Sequence, residues 1–343
     1  MKQFFKMMFA STLGFILASI IVSAILFVTM IGMVAGLSKS SAAAVGPKAG
    51  ESVFKITLAG EIPETTPENP FSALVSGNDD ALSMHDLVAA IRNAKEQETV
   101  KGIYLDLGAF SSGVVTLDAV RRALADFKES GKFVVAYADS YDQKAYYLSS
   151  VADQLILNPE GSVGLVGLAS SSLFYHQALE KLGLKAQVFK VGTYKGAVEP
   201  FILDQLSEPN REQISVYLSG LWDFILREVS ASRSIPVDSL RSFADQGLAF
   251  SEAETFVRRH LVDTLAYRLD VEGLIARRAG VSSPKDLHVV TLADLVNLPD
   301  PLDATRKSKE DVVTVVYAEG EIGDNPLSSE GITQELAQRL REL

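Results

Sequence analysis

The distribution of apolar and polar positions divides the chain into three regimes. No charged residue occurs from Met7 to Ser38, and the apolar run over 9–37 exceeds the ~20 residues that span a bilayer. A cleavable leader is the rival reading, because Ser41, Ala42, Ala43 and Ala44 offer small residues for cutting. Leader cores are usually only about 7–15 residues long, however, so the run predicts an uncleaved transmembrane helix. Lys2 and Lys6 precede it and Lys39 and Lys48 follow it, so flanking charge does not set the orientation. The expected organisation is an N-terminal tail and anchor over 1–38 and a small-residue linker over 39–51.

From residue 52 the pattern alternates between periods of two and 3.6. Strands are predicted over 53–58, 102–107, 133–137 and 154–157, with a further extended stretch over 186–191. Between them lie helical patterns. Met84, Leu87, Val88 and Ile91 fall at i, i+3, i+4 and i+7, after a Pro-rich loop over 63–70. Leu117, Val120, Leu124 and Phe127 line a second helix that Gly131 ends. Shorter helices are predicted over 144–152 and 173–182. Past Pro209 the chain turns helical, with Ile214, Tyr217, Leu218, Leu221, Trp222 and Ile225 in one stripe and shorter helices to about residue 279. Strands alternating with helices in this way predict an α/β domain with mostly parallel strands.

The tail repeats the head. The stretch over 313–322 lays over 53–62 and shares Gly-Glu-Ile at its end, and Leu336, Leu340 and Arg341 then fall on Leu87, Ile91 and Arg92. This order of strand, Gly-Glu-Ile, polar loop and helix predicts a duplication. The first repeat would cover 52–300, and 301–343 would be the truncated start of a second.

Composition narrows the chemistry. Hydrophobic residues make up 47% and charged residues 22%, a globular balance. Acidic residues outnumber basic ones by 43 to 32, and no Lys/Arg cluster appears, which argues against nucleic acid as a partner. Zero cysteines exclude a disulfide framework, a thiol nucleophile and thiolate metal sites. The four histidines (His85, His176, His260 and His288) form no HExxH or H-x-H arrangement, so no metal is expected. No G-x-S-x-G elbow exists for Ser-His-Asp chemistry, and Gly161 to Gly164 lacks the GK[ST] ending of a phosphate loop and reads as a turn.

Lys195 is the candidate that remains. It lies in 191–201, VGTYKGAVEPF, between glycines and among neutral side chains. A lysine serves as a general base when a dry setting lowers its pKa from ~10.4 toward about 7–8. By spacing alone Lys195 reads better as an exposed loop lysine.

The segment 191–201 resembles the lysine motif of the signal peptide peptidase A (SppA, protease IV) family. The order around it is similar too: 155–164, then Leu173-Phe174-Tyr175, then Phe189-Lys190, the motif, and a long Trp-containing helix. The resemblance extends over essentially the whole chain, anchor and duplication included. It implies a ClpP/crotonase-like fold and a membrane-anchored serine endopeptidase with a Ser–Lys dyad. Lys195 would be the base, and the serine would come from the second repeat. Signal peptides left after preprotein cleavage, and other hydrophobic peptides, are the implied substrates. No cofactor is implied. The resemblance also implies a homotetramer and a place in the bacterial inner membrane, with the soluble domain on the periplasmic side.

One departure stands out. Where the second repeat of such proteins has a motif resembling Ala-Ser-Gly-Gly-Tyr-Tyr, this chain has Asp142-Gln143-Lys144-Ala145-Tyr146-Tyr147. Gln143 therefore stands in the serine position, and an amide is no nucleophile. Ser149, Ser150, Ser162 and Ser170 to Ser172 read as helix, turn and loop residues, so 1–343 is expected to be inactive alone. A crotonase-like acyl-CoA enzyme and a non-catalytic membrane scaffold are the alternatives, because a fold does not fix a function.

Overall fold

The computed structural model describes residues 2–40, 50–65, 82–296, 298–299, 315–318 and 334–342. The chain divides into two compact units, Met1–Asp300 and Pro301–Leu343.

In the first unit α1 (Lys2–Ser40) carries the apolar run. It is long and apolar enough to cross a bilayer, and Phe9, Phe15, Leu17, Ile20 and Ile25 along it are exposed. The sheet consists of β1 (Ser52–Glu61), β2 (Val100–Ser111), β3 (Phe133–Ala138), β4 (Gln154–Leu157), β5 (Thr264–Leu265) and β6 (His288–Val290). Their order is β5-β4-β3-β2-β1-β6 and every pairing is parallel. The helices are α2 (Met84–Glu96), α3 (Val114–Lys128), α4 (Gln143–Ser149), α5 (His176–Lys181), α6 (Glu199–Ile202), α7 (Glu208–Arg233), α8 (Val237–Asp245), α9 (Ala253–Arg258), α10 (Arg268–Arg278) and α11 (Leu292–Val296). The expected parallel α/β class is therefore what the chain forms.

Side-chain alternation places two cores on the two faces of this sheet. Phe54, Ile56, Leu58, Ile103, Leu105, Leu107, Val134 and Ala136 point into the larger one. There they meet Leu87 and Ile91 of α2, Leu117, Leu124 and Phe127 of α3, and Ile225, Leu226 and Val229 of α7. The intervening residues Val53, Tyr104, Val135, Tyr137 and Ile156 pack against Val271 and Ile275 of α10. Both faces are covered, as an all-parallel sheet requires. The second face also carries charge: buried Asp106 on β2 pairs with Lys55 at 3.0 Å and with Arg268, and Arg268 reaches Asp139 at 3.0 Å.

Four predicted strands and the longer helices fall where the periodicity puts them, and Gly131 takes a left-handed φ of 81° after α3. Three expectations differ. The predicted helix over 144–152 spans Gln143–Ser149, and the one over 173–182 shrinks to His176–Lys181. The stretch over 186–191 forms no strand: Ala186 and Val188 are half-buried, Gln187 and Phe189 are exposed, and among the described residues no strand pairs with it. The pattern also missed β5 and β6, two- and three-residue edges too short to show alternation.

In the second unit α12 (Gln334–Glu342) forms where the repeat predicts a helix. Residues 315–318, the described part of the predicted strand over 313–322, are irregular. The rest of that strand, most of the linker, and 66–70 of the Pro-rich loop lie outside the described residues.

Candidate active site

The site is built on the connections that leave the C-terminal ends of β3 and β4. After β3 the chain turns into α4, whose first turn is closed by Asp142: its carboxylate accepts the Ala145 amide at 2.7 Å. A cap of this kind contributes about 1 kcal/mol. Tyr146 and Tyr147 of the same helix are fully buried. Tyr146 donates its hydroxyl to the Leu261 carbonyl at 2.9 Å, and Tyr147 donates to Asp118 at 2.7 Å. Both tyrosines are anchors of the core, and burial raises both phenols well above their ordinary value.

Gln143 opens α4. Its side-chain oxygen accepts two successive backbone amides, Val166 at 3.1 Å and Gly167 at 2.9 Å. Those amides belong to the loop after β4. That loop begins with the turn expected at 161–164, in which Gly161 donates to the Asn158 carbonyl at 2.8 Å. It then lies beside Tyr141 through a parallel bridge to Val163 and a 2.7 Å hydrogen bond from the Gly164 amide. The Gln143 side chain thus holds α4 to this loop. Ser149 and Ser150 are buried in or beside α4 and cannot meet a substrate.

Lys195 lies on the irregular segment between α5 and α6, and its side chain is exposed. It lines a pocket of about 440 Å³ with Ser172, Tyr194, Gly196, Ala197, Pro200, Leu206, Asn210 and Gln213. Gly196 is required there by close approach: a Cβ at this position would come within 2.3 Å of the Asn210 side-chain nitrogen. Gln143 is not among the lining residues. Among the described residues nothing covers Lys195 to give it the dry surroundings a base lysine needs.

Sequence reasoning overlooked Glu199, although it lies inside the quoted motif. It is fully buried at the start of α6, and the hydroxyl and amide of Ser207 and the amide group of Asn210 all donate to it. The Ser207 hydroxyl bond above all, with the Ser207 amide, Asn210 and Lys190, holds its carboxyl below the ordinary range against the opposing effect of burial. An acid among Ala197, Val198, Pro200 and Phe201 was the available signal.

The fold and pocket together define a parallel α/β domain with a lysine-bearing loop beyond its strand ends. Residues 126–282 match the model described as Peptidase family S49. Protease 4 of Haemophilus influenzae is 34% identical over 257 residues, 73% of this chain and 42% of that protein. Protease 4 of Salmonella typhi is 36% identical over 249 residues, 71% of this chain and 40% of that protein. The resemblance to the SppA (protease IV) family is thereby borne out, and the S49 match includes both Gln143 and Lys195. The chain spans about two fifths of the length of these curated relatives. Among solved structures, a membrane-bound stomatin-specific protease mutant in complex with a substrate peptide aligns over 75% of this chain and 96% of its own. Its identity is 12% and its TM-score 0.38, so the fold class rests on the sheet topology itself.

Proposed function

We propose that this chain is the base-bearing portion of a membrane-anchored serine endopeptidase that uses a Ser–Lys dyad. The observation that carries the reading is Lys195 on the rim of a pocket, within the stretch matched by the S49 family. Lys195 supplies the base, and the nucleophilic serine comes from beyond residue 343. The serine hydroxyl gives its proton to the unprotonated Lys195 amine as its oxygen attacks the peptide carbonyl. Lys195 then passes that proton to the departing amine, leaving an acyl-enzyme that water hydrolyses. The exposure of Lys195 in this chain fits a site that becomes dry only when the serine-bearing part and a peptide cover the pocket.

The substrates on this reading are signal peptides and other hydrophobic peptides, matched to the apolar share of the pocket lining from Ala197, Pro200 and Leu206. The anchor is α1, in the bacterial inner membrane with the domain on the periplasmic side, and the assembly is a homotetramer. A serine-directed fluorophosphonate tests the division of labour. It should label the longer protein at a serine outside 1–343 and leave the 343-residue chain unlabelled. Stoichiometric labelling of any serine within 1–343 would sink the split dyad.

A further inference from the structure

The residues before Lys195 do not pack it in place. Val191, Thr193 and Tyr194 are exposed, as is the lysine itself, and the segment lies in no strand or helix. A loop of this kind samples many conformations unless polar contacts select one. Such contacts converge four residues later, on Glu199.

Among the described residues no other carboxylate is buried as deeply as Glu199. One oxygen accepts the Ser207 hydroxyl at 2.6 Å, with the Lys190 ammonium 4.0 Å away. The other accepts the Ser207 amide and the Asn210 side-chain nitrogen, each at 3.1 Å. Both donors belong to the start of α7: Ser207 is its N-cap and accepts the Asn210 amide in turn. Asn210 also lies directly over Gly196, the residue after the lysine. The Glu199 amide donates to the Gly196 carbonyl at 3.0 Å, closing the turn between them. One carboxylate therefore links both flanks of Lys195, at Lys190 and at Gly196–Glu199, to the first turn of the longest helix after the anchor.

A buried carboxylate is costly unless fully partnered, and replacing such a group with apolar residues is often neutral for stability. Its presence is better explained by the geometry it imposes. We infer that Glu199 is the positioning residue for Lys195, holding the lysine loop on the first turn of α7 so that the amine stands at a fixed point on the pocket rim. This rests on the reading of Lys195 as the base, and it predicts that loosening the latch damages turnover and leaves peptide binding largely intact.

The test is Glu199→Gln in the full-length enzyme, with Glu199→Asp as the conservative variant. Misplacement by about 1 Å costs up to about 100-fold, so kcat should fall about 10- to 100-fold in Glu199→Gln with KM nearly unchanged. Glu199→Asp, which keeps the charge, should recover part of the loss. Hydrogen exchange should quicken over 191–198 while 221–233 keeps its protection. An unchanged kcat in Glu199→Gln would overturn the inference. So would faster exchange throughout the sheet with kcat and KM damaged together, the mark of general destabilisation. Should Glu199→Gln fail to fold, Asn210→Ala must give the same kcat loss and local exchange, or the inference falls. Failure of the base reading is separately visible: Lys195→Ala would keep its activity, whereas the exchange response over 191–198 does not depend on that lysine.

Discussion

Gln143 accepts the Gly167 amide at 2.9 Å, and the neighbouring Val166 amide reaches the same oxygen at 3.1 Å. A serine there would be two atoms too short to make both contacts from the same backbone position. Gln143 thus fastens α4 to the loop after β4. Gln143→Leu removes the acceptor of an exposed amide at Val166 and a partly buried one at Gly167, a loss of about 1 kcal/mol. Chemical denaturation of the variant should show a lower midpoint at an unchanged slope. An unchanged midpoint would mean that water replaces the glutamine at no cost.

Gly196 tests how tightly the lysine loop is seated. A methyl group there would come within 2.3 Å of the Asn210 side-chain nitrogen, so the Asn210 side chain, the loop or the start of α7 must move. Overpacking of this kind costs about 1–3 kcal/mol. Gly196→Ala should lower the melting temperature, and in the full-length enzyme it should reduce kcat more than it raises KM. Wild-type turnover would show that the loop position is not critical.

The carboxyl of Glu199 provides a pH signature. Its folded-state pKa lies below the value in the unfolded chain, because the Ser207 hydroxyl and the other donors favour the ionised form. The stabilisation is therefore present above the unfolded value of about 4.3 and disappears as pH falls through the lower folded value. Denaturation midpoints measured from pH 6 down to pH 3 should fall less steeply for Glu199→Gln than for the wild type. Parallel curves would mean that Glu199 contributes nothing to the acid limb.

Much of this was legible in the sequence, for identifiable reasons. The strands β1 to β4 alternate because each presents one face to α2, α3 and α7 and the other to α10, and the helices repeat at 3.6 because each covers one of those faces. Where the covering element was short or missing, the pattern misled. The stretch over 186–191 has the alternation of a strand but no strand beside it among the described residues, and β5 and β6 have partners but too few residues to alternate. Lys195 could be singled out by its motif but not by its surroundings, since exposure and neutral neighbours suit a surface loop better. The roles of Gln143 and Glu199 depend on amides 23 and eight residues away, brought close only by the fold.

The proposal that α1 anchors the chain predicts the state of the mature protein. Because α1 is long enough to span with tilt, N-terminal sequencing of the membrane-bound protein should find the residues before Ser38 intact. Protease added to spheroplasts should digest the domain after the anchor while cytoplasmic markers remain whole. A mature terminus near Ala44 would make the helix a removed leader, and digestion only after lysis would reverse the orientation.

Turnover of a hydrophobic peptide by the full-length enzyme decides whether Lys195 is the base of a Ser–Lys dyad. Lys195→Ala removes the amine, and Lys195→Arg keeps the charge but cannot give up its proton at any workable pH. Both variants should lose at least about a thousand-fold in kcat, the scale expected when a dyad member is removed. Their circular dichroism and melting behaviour should match the wild type. Appreciable turnover by Lys195→Arg in a folded protein would contradict the dyad.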